Sequence, residues 1–278
     1  MITWKNPLDG FEWLIHQVWY LEVENGDTIE QLPQLIPNPR AHLLFTPPEQ
    51  AYCYQSGSDQ LSGKGSHLLT ASDRILTLRD TAPLKRIGIT FRPEGLYLLN
   101  KSNDALVNQC DWFDWLTPLF DRQFQQQIWQ CNSKQNLISF IQQHVESLCF
   151  SSQINKTFTT AQKVIAAMEA NQSESSADNI DINQLADLCA CSRRTLERSF
   201  RQVTGLSIKK YQLMIKLELM ILALYKQDED IDWSAFSQQF GFSDQSHLIR
   251  QLKQQLKRTP ANYLQNRDLT IDVYGDFE

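Results

Sequence analysis

Arg193, Arg194, Thr195, Arg198 and Arg201 recur at intervals that put them on the outer side of a helix. Leu196, Phe200 and Val203 fall on its other side, where they can pack inward. Ser192 is a capping residue at the start of that helix, and Gly205 stands where a C-cap needs a residue free to take positive φ. Just ahead, Asp181 can cap a shorter helix with Ile182, Leu185, Ala186 and Cys189 inward, leaving Ala190-Cys191 as a tight turn. Two short helices across such a turn, the second basic on its outer face, meet the physical requirements of a helix-turn-helix. An ordinary helical hairpin with a solvated charged face meets them equally well, so this segment alone decides nothing about function.

Other chemistry has less behind it. The run SGKGSH at 62–67 lacks the glycine spacing of a phosphate loop and reads as a turn. His42 and His67 could meet across strands, but no H-x-H pair or partnered carboxylate accompanies them, so they read as structural histidines. No Ser-His-Asp order and no nucleophile elbow occurs. The sequence is read as that of a non-enzyme, with no cofactor, no catalytic residue and no metal ligand assigned.

The stronger signal is repetition. From Ile231 the chain reads IDWSAFSQQFGFSDQSHLIRQLKQQLKRTPANY. Trp233, Phe236, Ser237 and Phe240 take the places of Ile182, Leu185, Ala186 and Cys189. Gly241-Phe242 replaces the first turn, and Ser243 takes the place of Ser192. With one residue inserted, Leu248, Arg250, Leu252 and Lys253 answer Leu196, Arg198, Phe200 and Arg201. Between the copies, SIKKYQLMIKLELMILALYKQ is long enough for one helix and apolar on most faces, so it must be buried as a spacer with both units packed on it.

Residues from about Thr159 to Gln265 resemble the DNA-binding domain of AraC/XylS transcriptional regulators, on LADLCACSRRTLERSFRQVTGLSIKKY and GFSDQSHLIRQLKQQLKRTPANY. The resemblance implies an all-helical domain whose two recognition helices enter successive major grooves, about 34 Å apart. It also implies roles. Arg194, Glu197 and Arg198 sit where the family reads bases, with Arg193 and Arg201 near phosphates. In the second unit Gln245, Ser246, Ile249 and Arg250 face the groove and Lys253 lies near the backbone, while His247 orients the helix. Arg suits guanine, Glu cytosine and Gln adenine, and Ile can meet a thymine methyl. Thr159 or Thr160, Ser192 and Ser243 are placed at helix starts, where free N–H groups bind phosphate. The chain departs from the family in a spacer less basic than usual, in Ser237 for a small apolar residue, and in Leu248 and Leu252 for aromatic ones. Glu197 repels phosphate unless it finds its base.

The 278 residues suggest about two domains, each burying its own core. The net charge of −6 argues against a nonspecific nucleic-acid coat, while cations gather on the two outer helices and acids at Asp228-Glu229-Asp230. No leader or membrane span is read, which points to a cytoplasmic, nucleoid-associated protein with reduced cysteines. Cys189 and Cys191 read as small packing residues before redox sensors.

The fold expected is α+β: an N-terminal β-rich domain with helices at its end, followed by an all-α domain of two helix-turn-helix motifs joined by a long helix. Strands are expected at AHLLFTP, QAYCYQS, HLLTAS, ILTLRD and LKRIGITFRP, after one or two in residues 1 to 25. The β-rich part runs to about 93, and 95–150 is helical, with Leu137, Ile138, Ile141, Val145 and Leu148 on one face. Residues 151–157 form a linker, 158–267 the DNA-binding domain (with SESSADN a loop), and 268–278 a tail. The FRPEGL run resembles a strand-to-helix junction, often FRPGG, of an N-terminal module found in some AraC-like regulators, with Glu94 for the usual Gly. That likeness implies a sensory or oligomerising module for an unidentified small-molecule or protein effector. The partners read from all this are promoter DNA, with room for RNA polymerase and a homodimer. A degenerate regulator that binds another protein is the alternative, resting on the thinned basic spacer and the overall acidity.

Overall fold

The computed structural model describes residues 2–26, 33–100, 105–150, 154–173, 180–226 and 231–265. Its strands are β1 (Ile2–Asn6), β2 (Ile15–Val23), β3 (Gln34–Leu35), β4 (His42–Phe45), β5 (Ala51–Ser56), β6 (Asp59–Lys64), β7 (His67–Leu69), β8 (Leu76–Leu78), β9 (Leu84–Phe91) and β10 (Cys110–Asp111). They form two antiparallel sheets, one in the order β1-β2-β9-β4-β7-β10 and the other β3-β8-β5-β6.

The two-residue period of the strands sorts side chains to the two faces of the larger sheet. Trp19, Leu44 and Leu69 go to one face, where they share a cluster with Tyr54, Leu76 and Leu78 of the smaller sheet. Val18, Leu43, Phe45, Leu68 and Ile87 go to the other. Trp19 lies across Gly88 of β9, where a Cβ would come within 2.0 Å of its ring, so only glycine fits there.

The five strands expected between residues 41 and 93 are present, but β6 takes in Ser62 to Lys64 of the run SGKGSH, which was expected as a turn. Only Gly65-Ser66 bends; Ser62 to Lys64 is strand. The run DQLSGK is mostly exposed at a sheet edge, so backbone pairing with β5 holds it and no apolar alternation is needed.

Helices follow: α1 (Gly95–Leu99), α2 (Arg122–Gln127) and α3 (Lys134–Ser147), with short 3₁₀ turns at Asp114–Leu116 and Ile128–Gln130. The run from Trp112 to Cys131 is therefore broken where one helix was expected, and Pro118, which cannot donate to a helix ladder, lies at the break. Residues 101–104, part of an expected helix, lie outside the described residues. On α3, Leu137, Ile138, Ile141 and Val145 are buried as expected, while Leu148 is the C-cap and only half-buried. This face and Phe120, Phe124 and Phe45 make an aromatic-rich layer under the large sheet.

The C-terminal helices are α4 (Lys156–Ser173), α5 (Ile182–Leu188), α6 (Arg193–Thr204), α7 (Ile208–Tyr225), α8 (Trp233–Gln239), α9 (Gln245–Leu256) and α10 (Pro260–Gln265). Lys156 and Thr157, expected in the linker, open α4; residues 151–153 lie outside the described residues, as do most of SESSADN, Asp228 to Asp230 and the tail. No helix among the described residues is long and apolar enough to cross a membrane.

The cores do not divide as expected. The cluster beneath the large sheet continues through Tyr97 and Phe158, stacked at 6.2 Å, into Val164, Leu196, Phe200 and Tyr211. The first helix-turn-helix thus shares a core with the β-rich module. A separate cluster joins Leu217, Met220, Ile221 and Leu224 of α7 to Phe236, Leu248 and Leu252 of the second unit. Among the described residues, three ion pairs also cross from module to helices: Arg40 to Glu218 at 2.8 Å, Arg92 to Glu169 at 2.8 Å and Lys210 to Asp73 at 3.2 Å.

Candidate nucleic-acid interface

In the first unit, the Asp181 carboxylate accepts from Asn183 N–H at 2.7 Å and starts α5. Leu185 and Ala186 are buried, while Ile182 and Cys189 are half-buried. Ala190 takes φ 48° to reverse the chain. The Ser192 hydroxyl accepts from Thr195 N–H at 3.2 Å and starts α6. Leu196, Phe200 and Val203 are buried, and Gly205 closes the helix at φ 75°. Ser192, Arg193, Arg194, Glu197, Arg198 and Arg201 are all exposed, on the face left free by that packing. The face is not uniformly cationic, because Arg193 Nε binds Glu197 Oε1 at 3.0 Å one turn on. An exposed pair of this kind is worth a few tenths of a kcal/mol, so either partner can be released by a better one.

The second unit is built the same way from different parts. Asp232 caps α8 through Ser234 and Ala235 N–H, and Phe236, Ser237 and Phe240 face inward. Gly241 takes φ 66°, as Ala190 does in the first turn. Gln245, Ser246, Arg250 and Lys253 are exposed, and Ile249 is half-buried against the body. Leu248 and Leu252 fill the positions of Leu196 and Phe200.

Two expectations about helix starts fail. Ser243 is not the cap of α9; Asp244 is, accepting from His247 N–H at 2.8 Å, while the Ser243 hydroxyl donates to Asp244 at 3.2 Å. The inserted residue lies in the turn, and counting four back from Leu248, as Ser192 lies four before Leu196, finds Asp244 in the sequence. The bond from His247 N–H holds this carboxyl below the usual range. A carboxylate at that helix start opposes phosphate where a hydroxyl would not. Thr159 and Thr160 lie inside α4, with hydroxyls donated to the Asn155 and Lys156 carbonyls at 3.0 and 2.8 Å, because α4 begins three residues earlier than Thr159. Neither is at a helix start.

The central helix α7 carries both units. Its first half packs Ile208, Tyr211 and Ile215 into the first cluster, and its second half carries the other. Gln212 Nε2 donates to Ile180 O at 2.8 Å, and the Lys216 ammonium lies 4.8 Å from the Phe242 ring centre, so each unit is tied to α7 by its entry segment or turn. At 1.5 Å per residue, its 18 residues span about 27 Å.

The other candidates are accounted for by packing. His67 is buried, with Nδ1 2.9 Å from Gly65 O, so Nδ1 carries the proton and Nε2 accepts from Tyr54 OH at 2.8 Å. Burial holds its pKa down at about 3. His42 Nδ1 pairs with Thr90 Oγ1 at 2.9 Å. Among the described residues no cluster of metal-ligating side chains occurs. Burial pushes the Cys189 thiol up, which opposes the thiolate a redox sensor needs.

The helix-turn-helix domain family HTH_18 matches residues 185–266. The HTH-type transcriptional activator RhaS of Escherichia fergusonii is 30% identical over 95 residues. That match covers 34% of this chain and 34% of RhaS, so the chain spans about a third of the relative's length. Among solved structures, an AraC-type regulator from Chromobacterium violaceum is 23% identical over 38% of this chain and 90% of its own, with a TM-score of 0.33. ToxT of Vibrio cholerae is 12% identical over 89% of this chain and 95% of its own, with a TM-score of 0.46. Residues 185–266 thus carry a helix-turn-helix domain of the HTH_18 family, similar in sequence to the matching part of RhaS.

Proposed function

We propose that this chain is a sequence-specific DNA-binding transcription regulator, with α6 and α9 as recognition helices for adjacent major grooves. The observation that carries the reading is the exposure of Arg194, Arg198, Arg250 and Lys253 on equivalent faces of two units mounted on one buried helix. Phosphate contacts from Arg193, Arg201 and Lys253 position the units, and base contacts from the remaining outward residues give specificity. The Asp244 carboxylate makes the second helix start unfavourable for phosphate, so backbone contact there comes from Lys253. A division between an N-terminal module of residues 1–150 and a DNA-binding part that begins with α4, a signal received by the β-rich module, and action in the cytoplasm are parts of the same proposal.

Mapping of genomic fragments retained by the purified full chain tests it, followed by titration of one retained fragment over a range of salt. A set of fragments sharing one motif is expected, with log affinity falling against log salt by about 0.9 per phosphate neutralised. Retention without a common motif, or affinity indifferent to salt, would sink the proposal.

A further inference from the structure

The β-rich module and the helices enclose a cleft of about 890 Å³ between them. One wall is the β5–β6 turn with Asp73, Arg74, Thr77 and Arg79 of the smaller sheet's rim; the other is Lys210 and Met214 of α7 with the C-terminal end of α9. Its charges are unevenly matched. Arg74 is paired with Asp59 at 2.9 Å and Lys210 with Asp73 at 3.2 Å. Among the described residues the Arg79 side chain meets the neutral Gln55 amide, at 2.7 Å, and no carboxylate. Among the described residues Lys257 and Arg258 have no carboxylate partner, although Arg258 is half-buried. Part of the charge of Lys257 and Arg258 answers the carbonyl end of α9. Arg79, on the opposite wall, has no such role.

The hydrogen-bonding groups are unmatched as well. Among the described residues, both amide atoms of Gln255 and the Gln34 carbonyl oxygen are buried without a partner, and both residues line this cleft. A buried amide left unpaired costs about 1–3 kcal/mol, so a ligand that supplies partners has a place to bind. Gln251, Gln254, Ser56 and Ser58 add further amides and hydroxyls to the walls, beside an apolar strip of Ile75, Leu213, Met214 and Leu217.

From this combination we infer that the cleft binds a hydrophilic organic anion, one bearing a phosphate or carboxylate together with several hydroxyl groups. The anionic group lies among Arg79, Lys257 and Arg258, and the hydroxyls pair with Gln34 and Gln255. A long apolar chain would leave those amides unpaired and is disfavoured. Because one wall is the end of α9, occupancy fixes the second recognition helix against the β-rich module. This coupling rests on the DNA-reading proposal, whereas binding to the cleft does not.

Calorimetry on the full chain without DNA separates the two, with glucose 6-phosphate and citrate as probes and glucose and decanoate as controls. At millimolar concentration at least one anionic probe is expected to bind saturably and glucose not to bind. Arg79→Gln with Arg258→Gln should weaken that binding at least tenfold, with circular dichroism and the thermal midpoint of the free chain unchanged. Should the double variant unfold, Arg79→Gln alone, on the exposed rim, is expected to weaken binding severalfold. Failure of both anions to bind, binding indifferent to the substitutions, or preference for decanoate overturns the inference. The anionic probe should also shift affinity for a retained DNA fragment severalfold; an unchanged affinity overturns the coupling while leaving the site.

Discussion

The two helix-turn-helix units have equal helix lengths, seven and twelve residues, yet they are held in different ways. The first begins its second helix with a hydroxyl, ends it with glycine, and shares its core with the β-rich module. The second begins with a carboxylate, ends with Lys257 at φ 56°, and packs on α7 in a cluster of its own, joined from the module by Ile36. A repeated pattern of apolar positions specifies a repeated local shape. Where that shape is anchored depends on what else the surrounding chain buries.

The largest effects should come from the cores. Phe200→Ala is expected to cost about 3–5 kcal/mol and Leu252→Ala about 2–5 kcal/mol. Their reach should differ more than their size. Hydrogen exchange should quicken across α4, α6 and the aromatic layer in the first variant, and be confined to α8, α9 and the end of α7 in the second. Equal exchange of α6 amides in the two variants would mean that the separate clusters carry no separate stability.

Next come the grooves. Arg198→Ala and Arg250→Ala should each cost about 1–3 kcal/mol on a cognate operator and relax the preference at one base position. Fluorescence anisotropy at fixed salt measures both, and parental affinity in either variant removes that helix from its groove. The helix ends make a smaller contrast. Gly205→Ala places a Cβ 2.3 Å from Val107 Cγ2 in a left-handed backbone, which costs about 1–2 kcal/mol from conformation alone. Lys257→Gly relieves the same conformation and should be neutral or stabilise by up to about 1 kcal/mol in urea unfolding, after the added unfolded-state freedom. Destabilisation by Lys257→Gly would show that the lysine side chain is held by contacts that offset its backbone.

The smallest effect isolates the caps. Asp244→Ser keeps a good N-cap and removes one negative charge from the second helix start. Operator affinity should rise modestly, and more at low salt than at high. No gain at low salt would place that helix start away from the phosphate backbone.

Much of the C-terminal domain was legible because its signals are local. Caps, the positive-φ glycines and the inward triplets each act within one or two turns of chain, so spacing alone located α5, α6, α8 and α9. The cap of α9 was misplaced by one residue because two capping types, Ser243 and Asp244, stand side by side, and only the register of the helix chooses between them. In the N-terminal half, β6 was hidden because an exposed edge strand carries no apolar alternation, and the breaks in the helical run after Trp112 because bulky aromatics fit any element that buries them. Nothing local marks the cleft: Arg79 and Arg258 lie far apart in the chain, and only the folded chain brings them to one space with no carboxylate beside either among the described residues.

By itself the sequence determined the duplicated unit, the polarity of each of its helices and the class of partner their outer faces suit. Those depend on intervals of three and four residues, which backbone geometry converts directly into faces. Tertiary structure decided that the first unit is continuous with the β-rich core, that Arg40, Arg92 and Lys210 bind across the junction, and that unpaired cations meet around one space. Burial and charge pairing between distant segments are properties of the packed assembly, and no interval along the chain encodes them.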